Sequence, residues 1–122
     1  KIIHHAREMG FKLILTTDHG TINVKHPSKL IGDRETSINL RYKTGRSLTF
    51  NEKDAMVSRE PNSLGLPSLT MNSSFVFAKS DFFFVYPNNY NYFVNYYRNS
   101  FQHGGVSLEE MIVPIIICDP KP

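Results

Sequence analysis

The chain has 122 residues and a mass of 14.0 kDa, which is room for one modest domain or part of a larger one and argues against two full domains. With 40% hydrophobic, 12% aromatic and 20% charged residues, it is too apolar for a disordered tail and too charged for a membrane protein. A net charge of +3 does not by itself imply nucleic-acid binding.

The first nine residues, with Ile2, Ile3, Ala6 and Met9 apolar between polar neighbours, predict an amphipathic helix that Gly10 stops. Phe11 to Thr16 then reads as a strand. Its core of Leu13, Ile14 and Leu15 is uniformly apolar, the pattern of a central parallel strand covered on both faces. Helix, glycine and buried strand together are an α/β signature. The strand runs into Thr16-Thr17-Asp18-His19-Gly20, which sets polar groups at its carboxyl end, where open α/β sheets build ligand sites.

Residues 21 to 67 are punctuated by Pro27, Gly32, Gly45, Pro61, Gly65 and Pro67 and predict a loop-rich excursion with short strands at Ile38–Tyr42 and Ser47–Phe50. Its basic residues Lys25, Lys29, Arg34, Arg41, Lys43 and Arg46 are offset locally only by Asp33 and Glu35. Such a cluster suits a phosphorylated ligand or, more simply, a solvated loop. Ser74–Ala78 and Phe82–Tyr86, separated by Lys79-Ser80-Asp81, predict a hairpin. Tyr90, Phe93, Val94 and Tyr97 then share one helical face within 88–99. Ser107 with Glu110 makes a capping-box pattern for a short helix from Leu108, and Val106 with Met111 occupies the flanking staple positions. Pro114 limits that helix, and Ile115–Cys118 can form a last strand near a sheet edge.

No stretch approaches the ~20 apolar residues that cross a bilayer, so membrane insertion is not expected. The single cysteine, Cys118, excludes an internal disulfide, and no apolar signal segment follows the N-terminus. A cytoplasmic location is the expectation. Lys1 in place of an initiator Met reads as a piece cut from a longer protein.

Asp18 and His19 are the first residues with chemistry to offer. In a continuing strand they would point to opposite faces, but a turn at Gly20 lets a carboxylate oxygen and an imidazole nitrogen converge on one cation. An Asp satisfying turn hydrogen bonds beside an exposed His is the plainer alternative. His103 precedes Gly104 and Gly105, which permit close backbone approach, and then the capped helix. Two His-Gly sites at element ends in an α/β pattern invite a metal-centre reading.

On these segments the sequence resembles a family. Thr16-Thr17-Asp18-His19-Gly20 and Phe101 through Pro114 resemble the last two metal-ligand motifs of PglZ domains in the alkaline phosphatase superfamily. Ile31-Gly32-Asp33-Arg34, Asn39-Leu40-Arg41-Tyr42-Lys43 and Tyr86-Pro87-Asn88-Asn89-Tyr90-Asn91 resemble the PglZ region of PorX-type response regulators from bacteria with type IX secretion. The resemblance implies an α/β fold, the C-terminal part of an alkaline-phosphatase-like sheet flanked by helices, with a loop-rich insertion. It implies that residues 1–122 are the C-terminal segment of a metal-dependent phosphodiesterase or phosphatase domain in a two-component response regulator. Asp18 and His19 match ligands of the metal nearest the nucleophile, and His103 matches a ligand of the second metal. Two zinc ions are implied for the complete domain, weakly bound or absent here. The nucleophile and remaining ligands have no match in this chain.

A phosphodiester substrate follows from the resemblance, with an oligonucleotide among the candidates. Supporting roles at phosphate oxygens are expected for Arg34, Arg41 and Lys43, from their basic clustering after the metal motif. The competing expectation is a non-catalytic regulatory or dimerisation domain that keeps the phosphatase fold, with a homodimer as its form and the aromatic segment from Tyr86 to Tyr97 as its surface.

Overall fold

The computed structural model of the chain describes residues 1–33, 37–67 and 74–120. In chain order its elements are α1 (Ile2–Glu8), β1 (Leu13–Thr16), β2 (Ile22–Asn23), β3 (His26–Ile31), β4 (Tyr42–Gly45), β5 (Thr49–Phe50), β6 (Ala55–Ser58), β7 (Ser74–Ala78), β8 (Phe82–Val85), α2 (Tyr90–Tyr97), β9 (Phe101–Gln102), α3 (Leu108–Met111) and β10 (Ile115–Cys118), with a 3-10 turn at Pro61–Leu64. The content is mixed α/β. As the glycine predicts, α1 ends in a Schellman stop, where the Phe11 amide donates to Ala6 O and the Gly10 amide to Arg7 O.

The core has three layers built around β8. Strand order β5-β3-β8 forms one sheet and β4-β7-β6 another. Leu30, Ala55, Val76, Ala78 and Phe84 make one apolar cluster drawn from both sheets, so the two pack face to face. Strand alternation turns Phe83 and Val85 the other way, onto Ile22, Val24 and the Val94 face of α2. Leu40, Tyr90, Phe93 and Tyr97 pack around that second cluster, which bears out the predicted apolar face of α2.

Several expectations about pairing are corrected. Ser74–Ala78 and Phe82–Val85 are strands, but they do not form a hairpin. β7 pairs antiparallel with β4 and β6, whereas β8 pairs parallel with β3, so the Lys79-Ser80-Asp81 turn carries the chain from one sheet to the other. Residues 21–67, expected to be mostly loop, hold β2 through β6; these strands are too short and too mixed in polarity to show period-two alternation.

β1 is also not a parallel strand covered on both faces. It pairs antiparallel with β10, from Leu13 opposite Cys118 to Thr16 opposite Ile115. The side chains of Ile14, Leu15, Ile115, Ile116 and Ile117 remain exposed. Among the described residues β10 is the one partner strand of β1, and it runs the opposite way. No helix of the described residues is long and apolar enough to cross a membrane.

Candidate functional site

The small β2–β9 ladder decides where the two His-Gly motifs meet. Ile22 pairs with Gln102 and Asn23 with Phe101. The ladder is prolonged where the Val24 amide donates to Ser100 O at 3.0 Å and the Asn99 amide to Val24 O at 2.7 Å. In an antiparallel pair, residues preceding one strand lie beside residues following the other. The Asp18-His19-Gly20 turn is therefore brought against His103, and the two imidazoles stack with centroids 3.8 Å apart and planes 13° from parallel.

Gly20 fixes the other side of this turn. Its amide donates to Glu110 O at 2.9 Å, and a Cβ at this position would lie 1.9 Å from Glu109 O. A side chain is thus excluded by the close approach of the two main chains, which explains the glycine without any appeal to turn type.

Asp18 and His19 have the geometry of a partial cation site. The Asp18 carboxylate is exposed; its Oδ1 accepts the His19 amide at 3.0 Å and lies 3.6 Å from His19 Nε2. His19 Nδ1 is 2.8 Å from Gly20 O, so an Nδ1–H donates there and Nε2 is left as the acceptor nitrogen, near the carboxylate. Ligands at ~2.0–2.1 Å in a tetrahedral zinc sphere are ~3.4 Å from one another, close to this spacing. A backbone carbonyl holding the second ring nitrogen is also the usual support of a metal-binding imidazole. Among the described residues no group of three or more His, Cys, Asp or Glu side chains is arranged to hold a metal ion. Asp18 and His19 fit a cation as two donors, not as a complete set.

Beneath the His103 loop lies a buried ion pair. Arg41 Nε donates to Glu110 Oε1 at 2.7 Å and Arg41 Nη2 to Glu110 Oε2 at 2.7 Å, with side-chain exposures of 0% and 2%. Arg41 also donates to Ser80 O at 2.7 Å and to Phe82 O. Glu110 accepts the Gly105 amide at 2.9 Å, the Ser107 hydroxyl at 2.8 Å and the Ser107 amide at 3.2 Å, so the predicted capping box is present and α3 starts at Leu108. Burial pushes the Glu110 carboxyl up, but hydrogen bonds from Arg41, Ser107 and Gly105, with the Arg41 charge, outweigh it and hold the group below its usual range. A Cβ on Gly105 would lie 2.7 Å from both Arg41 Nη2 and Glu110 Oε2, so only glycine lets the loop cover the pair.

Two of the basic residues expected at phosphate, Arg41 and Lys43, are buried and hydrogen-bonded within the protein. Arg41 spends its guanidinium inside the protein, on Glu110 and main-chain carbonyls. Lys43 is equally buried: its Nζ donates to Ser37 O at 2.8 Å and sits 4.4 Å from the Tyr86 ring centroid. Burial lowers its pKa to about 8. Arg34 lies outside the described residues. Basic clustering in a sequence reads as surface charge; the apolar and aromatic neighbours Leu40, Tyr42 and the β7 and β8 runs are the signal that two of these cations go inward.

Asn39, Glu110 and the groove beside the turn join the site without having been expected there. Asn39 Oδ1 accepts the amides of Arg41 and Tyr42 at 2.7 and 3.2 Å, and its Nδ2 donates to His103 O at 3.4 Å. Its position two residues before Arg41 is an Asx-turn spacing, which is a legible signal. An open groove of about 920 Å³ begins at Thr21, next to the Asp-His-Gly turn, and is lined in part by Asn23, Lys25, Asp81, Ser107 and Glu109. No curated protein matches the chain. A family model does: residues 1–118 match the BREX system PglZ alkaline phosphatase-like domain.

Proposed function

The chain belongs to the PglZ family of alkaline phosphatase-like domains, and from that premise we propose that it supplies part of a metal-dependent phosphodiesterase or phosphatase centre, with Asp18, His19 and His103 as metal ligands. The observation that carries this reading is the meeting of the two motifs: segments far apart in the chain (Asp18-His19 and His103) place two imidazoles in contact beside an exposed carboxylate. Asp18 and His19 would hold one cation, and His103 a neighbouring one; the other ligands and the hydroxyl nucleophile are expected from residues that this chain does not match. Bound there, a divalent metal supplies Lewis-acid stabilisation of phosphoryl oxygens and activation of a hydroxyl.

The chain's own contribution is orientation. Gly20 O holds His19 Nδ1–H, so Nε2 stays an acceptor; Asp18 remains open to solvent and able to bind. Lys25, on the groove that opens at Thr21, offers a point charge to a phosphoester lying across the site. The segments around Ile31 and Asn39 and at Tyr86 to Asn91 support placing the protein among response regulators of the PorX type.

Equilibrium dialysis of the chain against zinc, with and without Asp18→Asn plus His19→Gln, tests the ligand assignment. Weak zinc binding that the double substitution removes is expected; binding indifferent to it would refute the assignment. In a protein carrying the complete domain, hydrolysis of a chromogenic phosphodiester should fall roughly 100-fold or more in the same variant.

A further inference from the structure

We infer that Glu110 is the positioning residue for both histidines of the candidate site, its main chain holding one motif and its side chain the other. Glu110 O accepts the Gly20 amide at 2.9 Å, one residue beyond His19. Glu110 Oε1 accepts the Gly105 amide at 2.9 Å, two residues beyond His103. Helix capping accounts only for the contact with Ser107; the bonds to Gly105 and Arg41 lie outside that requirement.

α3, four residues long, cannot define its own place by packing, and Leu108 and Met111 on it are exposed. What locates it is Arg41. The Arg41 side chain ties Glu110 to Ser80 O and Phe82 O at the start of the core strand β8, while Arg41 O accepts the Ala78 amide at 2.8 Å from β7. Asn39 completes the link, holding the Arg41 amide by its Oδ1 and His103 O by its Nδ2. A route of hydrogen bonds therefore runs from both core sheets through Arg41 and Glu110 to each imidazole-bearing turn. A desolvated ion pair is a poor source of net stability, since an apolar pair of like size serves as well. Directional bonds to two loops are what the charged pair provides and the apolar pair cannot.

The contact between imidazoles does not need a metal to be measured, so the test stands apart from the proposed function. In the full chain, the ring protons of His19 and His103 should show a mutual NMR cross-relaxation peak. Glu110→Gln should lose that peak while the amide shifts of β4, β6 and β7 stay in place. The paired replacement Arg41→Met with Glu110→Leu keeps the buried volume apolar and serves where the single change unfolds the chain; it too should lose the peak. A retained peak in either folded variant overturns the inference. Loss of the peak with zinc affinity unchanged supports the positioning role and tells against the metal assignment.

Discussion

Replacing Gly20 by alanine probes the tightest contact at the candidate site. The added methyl would start 1.9 Å from Glu109 O and 3.1 Å from Ile112 O. To reach an ordinary carbon–oxygen separation of ~3.4 Å the turn must retreat by about 1.5 Å, enough to stretch the 2.9 Å bond from the Gly20 amide to Glu110 O past any useful length. The lost hydrogen bond costs about 1 kcal/mol and the steric mismatch about 1–3 kcal/mol, for roughly 2–4 kcal/mol in all. At about 5 °C per kcal/mol for a domain of this size, the midpoint of thermal unfolding falls by about 10–20 °C. With no Trp and six Tyr in the chain, tyrosine fluorescence and near-ultraviolet dichroism report the transition. The ladder beside this turn starts at Ile22, and the bonds that prolong it at Val24 lie at its far end, so the retreat should also separate His19 from His103. A Gly20→Ala variant within about 0.5 kcal/mol of the parent, with the imidazoles still in contact, would refute the close-approach argument.

The pH dependence of Glu110 follows from the direction of its shift. Its folded pKa lies below the reference value of 4.5, so the stability it contributes is fully present above that value and is lost as pH falls through the folded pKa. Glu110→Gln should cost about 3–5 kcal/mol at neutral pH, and urea midpoints should show the gap to the parent closing in acid; a constant gap would count against the ion pair. Lys43 also loses stability as pH falls, but in an alkaline window and as a cost of burial rather than the loss of a favourable pair. Its folded pKa is about 8 against 10.5 unfolded, so stability falls as pH drops from 10.5 to 8 and the cost of burying the charge is complete below 8. Lys43→Met should raise stability by about 1–3 kcal/mol at pH 7, since the lost bond to Ser37 O is worth about 1 kcal/mol, and the advantage should fade towards pH 10. Destabilisation at neutral pH would mean that the ammonium makes a net favourable contribution where it lies.

What could be read from the sequence was local. Gly10 as a helix stop, the Tyr90-Phe93-Val94-Tyr97 face of α2, the Ser107–Glu110 cap and the two His-Gly motifs each depend on residues within one or two turns of the chain. Those signals are set by backbone geometry and side-chain periodicity, which neighbours in sequence suffice to define. Pairing was decided elsewhere. Whether Phe82–Val85 folded back on Ser74–Ala78 or joined β3 depended on which apolar faces could be buried together, and the three-layer core favoured the second.

The fate of Arg41 was hidden for the same reason. Its partner Glu110 stands 69 residues away, and nothing in the basic stretch around Arg41 indicates that a carboxylate will arrive from the far end of the chain. His19 and His103 were legible as ligand-type residues at element ends; their stacking was not, because it follows from the register of β2 against β9. Sequence determined which groups could do chemistry and where helices would stop, cap and turn their apolar faces. Tertiary structure alone decided their neighbours, since burial and long-range hydrogen bonding are properties of the packed chain and have no local code.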